Sequence, residues 1–294
     1  MNAIAAPIGA SPAPATAKQL ARRETMRALA RSKTFVAGMV IILWWVFCAF
    51  FGSAIAPHDP LGLTARTLAA PSSHHLFGTD QLGRDVFSRV LAGARSILTI
   101  APLATALAVA GGTSLGLVMG YFRGIVDDVV SRVIDAMLSI PLIVLAVSIT
   151  VSLGASTLTL IIVVGVLFTP LVARTVRAAV LAERELDYVP AARLRGERAP
   201  YIMFVEILPN IMAPIIVEAT VRLGYAIFTI AGLSFLGFGV QPPSPDWALQ
   251  IADNYNLLAA GTYWWTVLFP GLAIASLVIA INLTADGLSQ VLER

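Results

Sequence analysis

From Ala136 to Ala173 the chain carries no charged side chain. One membrane-crossing helix needs about 20 apolar residues to cover roughly 30 Å of hydrocarbon, so this run is too long for one helix and suits two. The turn between them is expected at Ser152-Leu153-Gly154-Ala155-Ser156. Composition agrees with lipid as the solvent: 57% of residues are hydrophobic, 13% are charged and the mean hydropathy is +0.82, against about 45–50% and about 25% in soluble domains. Collagen-like, disordered and disulfide-stapled chains are excluded by the same figures. The single cysteine, Cys48, lies in an apolar run and has no intramolecular partner.

The same length criterion gives an all-α membrane protein of six spans. The first covers 35–56 and follows a basic segment, residues 1–34, that contains Lys18, Arg22, Arg23, Arg27, Arg31 and Lys33. Its apolar stretch exceeds the roughly 7–15 residues of a signal-peptide core, so it reads as a retained anchor. The second lies between Ser96 and Phe122, the third and fourth share the charge-free run, the fifth runs from Ile211 to Gly237 and the sixth from Tyr263 to Ala285. Residues 96–288 thus form a five-helix core, 57–95 and 174–210 are long loops, and 289–294 are a short tail. The first 17 residues, rich in Ala and Pro, read as a disordered tail. With the N-terminus inside, fifteen Lys and Arg residues flank spans on the inner side and four on the outer, Arg66, Arg84, Arg89 and Arg95. The positive-inside bias therefore predicts both termini in the cytoplasm.

Three loops are longer than a bundle requires. In the first outer one, 57–95, Thr79 or Asp80 is expected to cap a short solvated helix on which Asp80 faces Arg84 and Asp85 faces Arg89 at i,i+4. His58, His74 and His75 invite a metal reading. His74 and His75 are adjacent, however, and no Cys or carboxylate stands at ligand spacing around them, so no metal site is expected. In the inner loop, Val176 to Glu185 should extend the fourth span. Pro190 suits the first turn of a new short helix, Ala191 and Ala192 keep one face of it flat, and Gly196 ends it. A charged helix with a small-residue face is shaped to dock into a groove on another protein.

Here the sequence resembles a known family. Ala191, Ala192 and Gly196, followed by Leu208-Pro209, look like the EAA signature of bacterial ABC importer permeases. Phe77-Gly-Thr-Asp-Gln-Leu-Gly-Arg-Asp-Val-Phe-Ser-Arg89, Leu233-Ser-Phe-Leu-Gly-Phe-Gly-Val-Gln-Pro-Pro243 and Phe269-Pro-Gly-Leu-Ala273 are similar to segments of the C-type subunits of dipeptide and oligopeptide permeases. Two positions depart from the signature: Pro190 stands where its leading Glu would be, with Asp187 nearby, and Glu206 stands where Ile is usual. The resemblance implies a type I ABC importer permease fold in the bacterial inner membrane. It implies a coupling helix carrying Asp187, Ala191, Ala192 and Gly196, with Leu208 and Pro209 completing the motif. It also implies partners: a second homologous permease, two ABC ATPase subunits that bind ATP and Mg, and an extracytoplasmic substrate-binding protein. Peptide is the implied solute, with nickel, glutathione and opines as alternatives in the same branch. Asp80, Arg84 and Asp85, with Gln241 to Asp253, are the expected docking surface for the binding protein. Nucleic acid is not among the expected partners.

Glu218 and Arg222 fall inside the fifth span, four residues apart, where they pair with each other or line the translocation path. Asp127, Asp128, Arg132 and Asp135 read as a solvated face. Trp44 and Trp45 read as lipid-facing, and Tyr263, Trp264 and Trp265 as an interfacial belt. The chain has no Gly-x-x-x-x-Gly-Lys-Ser/Thr loop, so no ATP site, catalytic residue or cofactor is expected in it. A secondary transporter should show inverted repeats with matching helix breaks, and an intramembrane enzyme should show a paired acid and base; neither pattern is visible. In a Cys48→Ala background, a cysteine at Ser73 should react with an impermeant thiol reagent in intact cells and one at Arg195 should not; labelling at Arg195 would reverse the orientation.

Overall fold

The computed structural model describes residues 27–292. The N-terminal tail, with Lys18, Arg22 and Arg23, and Arg294 at the other end lie outside the described residues. Nine helices of seven residues or more organise the remainder: α1 (Lys33–Ile55), α2 (Val86–Phe122), α3 (Gly124–Leu138), α4 (Leu142–Leu153), α5 (Thr157–Glu183), α6 (Tyr188–Leu194), α7 (Met212–Phe235), α8 (Trp247–Asn254) and α9 (Trp265–Leu292). Among the described residues there is no strand, and the isolated antiparallel bridge is between Thr79 and Asp85.

Five of these helices, α1, α2, α5, α7 and α9, are long and apolar enough to cross a membrane. The sixth expected span is not one helix. α3 and α4 together satisfy the criterion but are bent by 85° at the break between them, and twelve residues of α4 rise only about 18 Å. The cause is Pro141. It disfavours helical backbone at Ile140, and its ring cannot continue a helix that arrives from its N-terminal side, so the chain turns at Ser139–Pro141 and restarts at Leu142. The expected turn between spans three and four is present: α4 stops at Leu153, Gly154 has φ +84°, and the Ser156 side chain accepts from Thr159 N to start α5.

α2 begins ten residues before the expected start at Ser96. Its 37 residues rise about 55 Å, well beyond the hydrocarbon. Asp85 caps it by accepting from Ser88 N at 2.8 Å. Arg89 and Arg95 therefore belong to the helix and not to a loop.

α2 and α5 make the most extensive helix–helix contact in the chain. The reason is a stripe of glycine one helical turn apart. A Cβ at Gly112 would stand 2.4 Å from Val172 Cβ, one at Gly116 2.7 Å from Val176 Cβ, and one at Gly120 2.7 Å from Val180 Cβ. Three glycines on one helix face three valines of matching spacing on the other. In lipid, where burying apolar surface drives little association, such backbone approach supplies the dispersion contact that holds helices together.

Two aromatic assignments change. Trp44 is half exposed, but Trp45 is buried, donates from Nε1 to Ser276 Oγ at 2.9 Å and meets Trp247 edge-on. Trp265 likewise is buried and donates to Thr79 O, leaving Trp264 outward. An indole finds a buried position once a partner exists for its N–H, and neighbouring residues on a helix point in different directions. The acidic residues of α3 are also not simply solvated. Arg177 clamps Asp127 through Nε and Nη2, both at 2.5 Å, and Arg174 pairs with Asp135, fastening α3 to α5.

The glycine stripe yields a direct test. Gly116→Ala should destabilise the purified chain by about 1–3 kcal/mol, read as a lower denaturant midpoint, because the Val176 side chain and the Ala173 carbonyl leave no room. Gly271→Ala, at a position with nothing within 4 Å of the added carbon, should leave the midpoint in place.

Candidate functional site

Three places hold the residues singled out in the sequence, and a fourth is a groove. The first is α6. Arg184, just past the end of α5, donates from Nη1 to Gly120 O at 3.1 Å and to Tyr121 O at 2.7 Å, satisfying carbonyls that the end of α2 leaves without helical partners. Arg193 lies over the Tyr121 ring at 4.9 Å, and Arg195 Nη2 donates to Glu206 Oε1 at 3.0 Å. Val189 and Ala192 are fully buried against the core. α6 ends as expected: Gly196 has φ +81°, its N–H reaches Arg193 O, and Glu197 N reaches Ala192 O.

Ala191 and Ala192 do not share a face. Successive helical residues are about 100° apart, so Ala192 points into the chain while Ala191 is exposed with Asp187 and Pro190. Leu194, which the motif does not single out, is 90% exposed. The outward face of α6 is therefore Asp187, Pro190, Ala191 and Leu194, held rigidly because the opposite face is anchored. Leu208 and Pro209 follow a π-helical stretch, Ile202–Ile207, and Leu208 is half-buried while Pro209 is exposed. The widened turn accommodates a proline that has no N–H to give.

The second place is the 57–85 loop, and it overturns the solvated-helix expectation. Asp80, Asp85, Arg84 and Arg89 are 2%, 1%, 8% and 0% exposed. Residues 79–85 form a turn in which Asp80 Oδ1 accepts from Leu82 N and Arg84 N, both at 2.9 Å, and Oδ2 accepts from Arg84 Nε at 2.6 Å. Arg84 continues to Asp253 at 3.3 Å. The expected Asp85–Arg89 pair does not form, because capping turns the Asp85 carboxylate back onto Ser88 and away from the helix face. Arg89 instead donates to Ser244 O at 3.0 Å and Pro60 O at 3.4 Å, and its Nε stands 3.9 Å from Asp80. The 241–254 segment is thereby tied to the loop. Asp246 caps α8 through Leu249 N at 3.0 Å, and burial pushes its carboxyl pKa upward. These charges hold surface together and do not themselves form it.

The fold also places the three histidines. Asp85, ten residues beyond His75, is brought against both His58 and His75, while His74 is exposed.

The third place is the pair in α7. Arg222 Nε donates to Glu218 Oε1 at 2.5 Å, and its guanidinium lies 5.4 Å from the Tyr225 ring centre. The i,i+4 pairing is present as expected. Neither residue lines the fourth place, a groove of about 750 Å³ between α2 and the 204–223 region, whose walls include Thr105, Val109, Thr113, Leu208, Ile216 and Leu223. The groove surface is apolar apart from a few hydroxyls. Sequence reasoning missed it because Thr, Val, Ala and Leu at helical spacing read alike as core, lipid face or passage.

Among the described residues, five long spans and one bent pair, with a short exposed helix between the third and fourth long spans, make a multi-pass membrane architecture. Comparison with known proteins makes this specific. Residues 112–294 match the family described as binding-protein-dependent transport system inner membrane component. Residues 21–71 match the N-terminal TM domain of oligopeptide transport permease C. The chain belongs to this permease family, bearing out the resemblance of its motifs. It is 38% identical over 278 residues to the Di/tripeptide transport system permease protein DppC of Pseudomonas aeruginosa (strain UCBPP-PA14), covering 92% of this chain and 91% of the relative. It is 40% identical over 270 residues to the Dipeptide transport system permease protein DppC of Escherichia coli (strain K12), covering 90% and 89%. A third relative, the Dipeptide transport system permease protein DppC of Alkalihalophilus pseudofirmus, is 38% identical over 276 residues, covering 92% and 89%.

Reversing the charge at Arg84 should act on folding. Arg84→Glu leaves Asp80 buried beside a second carboxylate, a loss of about 3–5 kcal/mol by the usual cost of breaking a buried pair. The thermal midpoint of the purified chain should fall sharply, whereas His74→Gln, at an exposed side chain, should change it little.

Proposed function

We propose that this chain is one of two permease subunits of an ATP-driven importer for di- and oligopeptides. It lies in the inner membrane with both termini and the 174–210 loop in the cytoplasm. ATP and Mg bind to two separate ATPase subunits, and a binding protein delivers solute to the outer side, where the 57–85 loop and the 241–254 segment form one tied surface. The orientation rests on the fifteen-to-four division of flanking basic residues. The peptide assignment rests on the names of relatives that align over about nine-tenths of both chains.

The observation that carries the mechanism is the anchoring of α6. An exposed leucine alone is ordinary. Here the exposed side chains sit on a helix whose other face is buried through Val189 and Ala192, with Arg193 laid over Tyr121 at the end of α2 and Arg195 paired with Glu206 of the 202–207 turn, while Arg184, just before the helix, bonds the last carbonyls of α2. A push on Leu194, Ala191 and Pro190 by a closing ATPase dimer is therefore transmitted to α2 and not absorbed in a loop. α2 also forms one wall of the apolar groove, which we assign to the translocation path shared with the second permease. Few fixed charges in that wall suit solutes of varied side chain, leaving selection to the binding protein.

The test is co-purification and solute-stimulated ATP hydrolysis with the partner subunits co-expressed. Leu194→Asp and Ala191→Trp should keep membrane insertion and pairing with the sister permease but lose ATPase association, while Ala192→Trp should fail earlier, at folding, because its side chain is buried. Wild-type ATPase association and transport in both outward-face variants would defeat the coupling assignment. A cognate binding protein that retains nickel, glutathione or an opine in place of peptide would defeat the solute assignment alone.

A further inference from the structure

The Asp85 carboxylate is 1% exposed, and among the described residues the side chains within ion-pair distance of it are His58 and His75. A buried carboxylate needs a compensating positive charge. His75 Nδ1 stands 2.8 Å from Asp85 Oδ1 and His58 Nδ1 3.8 Å from Asp85 Oδ2. The two imidazole rings are tilted against each other with centres 4.8 Å apart. His58 Nδ1 is buried without a hydrogen-bond partner, although its side chain is 38% exposed overall. Its ring is thus turned so that Nδ1 points inward toward a carboxylate while the rest of the ring borders solvent.

From this juxtaposition we propose that His58, His75 and Asp85 bind one divalent transition-metal ion of the Zn2+ class, with water in the fourth position. The two nitrogens and the carboxylate oxygen lie within 4.8 Å of one another. A tetrahedral zinc with ligands at about 2.0–2.1 Å separates its donor atoms by about 3.4 Å; His75 Nδ1 stands 2.8 Å from one Asp85 oxygen and His58 Nδ1 3.8 Å from the other, so the two rings flank the carboxylate at distances near that value. The remaining adjustment falls on His58, which has solvent beside it and no ring hydrogen bond to break.

Ser88 supplies the outer support. Its N–H and hydroxyl both donate to Asp85 Oδ2, at 2.8 and 2.7 Å, and its hydroxyl oxygen accepts from His58 N at 3.2 Å. Second-sphere bonds of this kind fix ligand orientation. Two imidazoles and one carboxylate favour Zn2+ over Mg2+ or Ca2+, which prefer all-oxygen cages. On binding, the metal takes the Nδ1 lone pair of His75, and the proton shared with Asp85 leaves to solvent. The ion would pin the chain just beyond α1 to the N-terminus of α2. This inference uses local geometry alone and stands apart from the peptide reading.

The experiment is calorimetric titration of Zn2+ into the full chain, purified in detergent with an affinity tag that contains no histidine. One ion per chain is expected, with proton release, a raised thermal midpoint reversed by chelator, and no competition from excess Mg2+. His58→Gln should weaken binding beyond the roughly 10–100-fold that outer-shell changes cost. His74→Gln, at the exposed neighbour, should bind as wild type. Asp85→Asn removes the helix cap as well as a ligand, so His58→Gln is the deciding variant. No saturable Zn2+ binding in the wild-type chain, wild-type affinity in His58→Gln, or equal loss in His74→Gln would each overturn the proposal.

Discussion

Backbone contact between α2 and α5 is the constraint from which the rest of the arrangement follows. Gly112, Gly116 and Gly120 admit Val172, Val176 and Val180 to distances that any Cβ would forbid. In water, apolar side chains would drive such a pairing through their own burial. In lipid the unpaired helices are already solvated by hydrocarbon, and close packing must supply the difference. Once α2 and α5 are joined, α3 is positioned by the ion pairs of Asp127 with Arg177 and Asp135 with Arg174, because both arginines lie on the same helix as the valines. The short α6 then inherits its place from Arg184, which caps α2 from the neighbouring end of α5.

At the far end of α2 a different physics operates. Residues 57–85 and 241–254 lie beyond the long helices and fold around buried charge. Asp80, Arg84, Arg89, Asp246 and Asp253 form a group in which each ion is neutralised or hydrogen-bonded by the others or by backbone. Such a group is weak evidence of added stability, since desolvation offsets much of the attraction. Its geometry is demanding, however, and that fixes the register of two distant segments against the start of α2. Apolar packing with many near-equivalent solutions would specify this end less sharply.

How much of this could be read beforehand depended on whether the determining interaction was local in sequence. The turn at Ser152 to Ser156, the Gly196 cap and the Glu218–Arg222 pair involve residues within about one helical turn of each other, and are readable from spacing, as the five long spans are from their apolar length. The break at Pro141 was visible as a residue, but the uncharged run around it suggested continuity, and only the backbone shows an 85° bend. Asp85 was assigned to Arg89 by the i,i+4 rule, which holds inside a helix and fails at its cap. Ala192 was paired with Ala191 as a small-residue face, although a seven-residue helix needs one of its faces for the core. The groove and the His58–His75–Asp85 cluster depend on contacts between separate segments, for which a single sequence carries no periodic signal.

α2 is the element in which these separate solutions meet. Tyr121, one residue before its end, receives Arg193 from α6, and Asp85 at its cap belongs to the tied loop at the other end. Between them Pro102 interrupts the hydrogen-bond ladder beside the apolar groove. A helix fixed by charge at one terminus, gripped by glycine packing along its second half and weakened at one interior point bends there more readily than elsewhere. On the proposed coupling scheme, displacement of α6 therefore reaches the groove wall at Pro102 before it reaches the loop. Contiguity alone does not create such coupling, which also requires two arrangements of comparable free energy. The proline stands beside the groove and outside the segment from Gly112 to Gly120, so the hydrogen bond it removes is missing where the glycine packing against α5 is not disturbed.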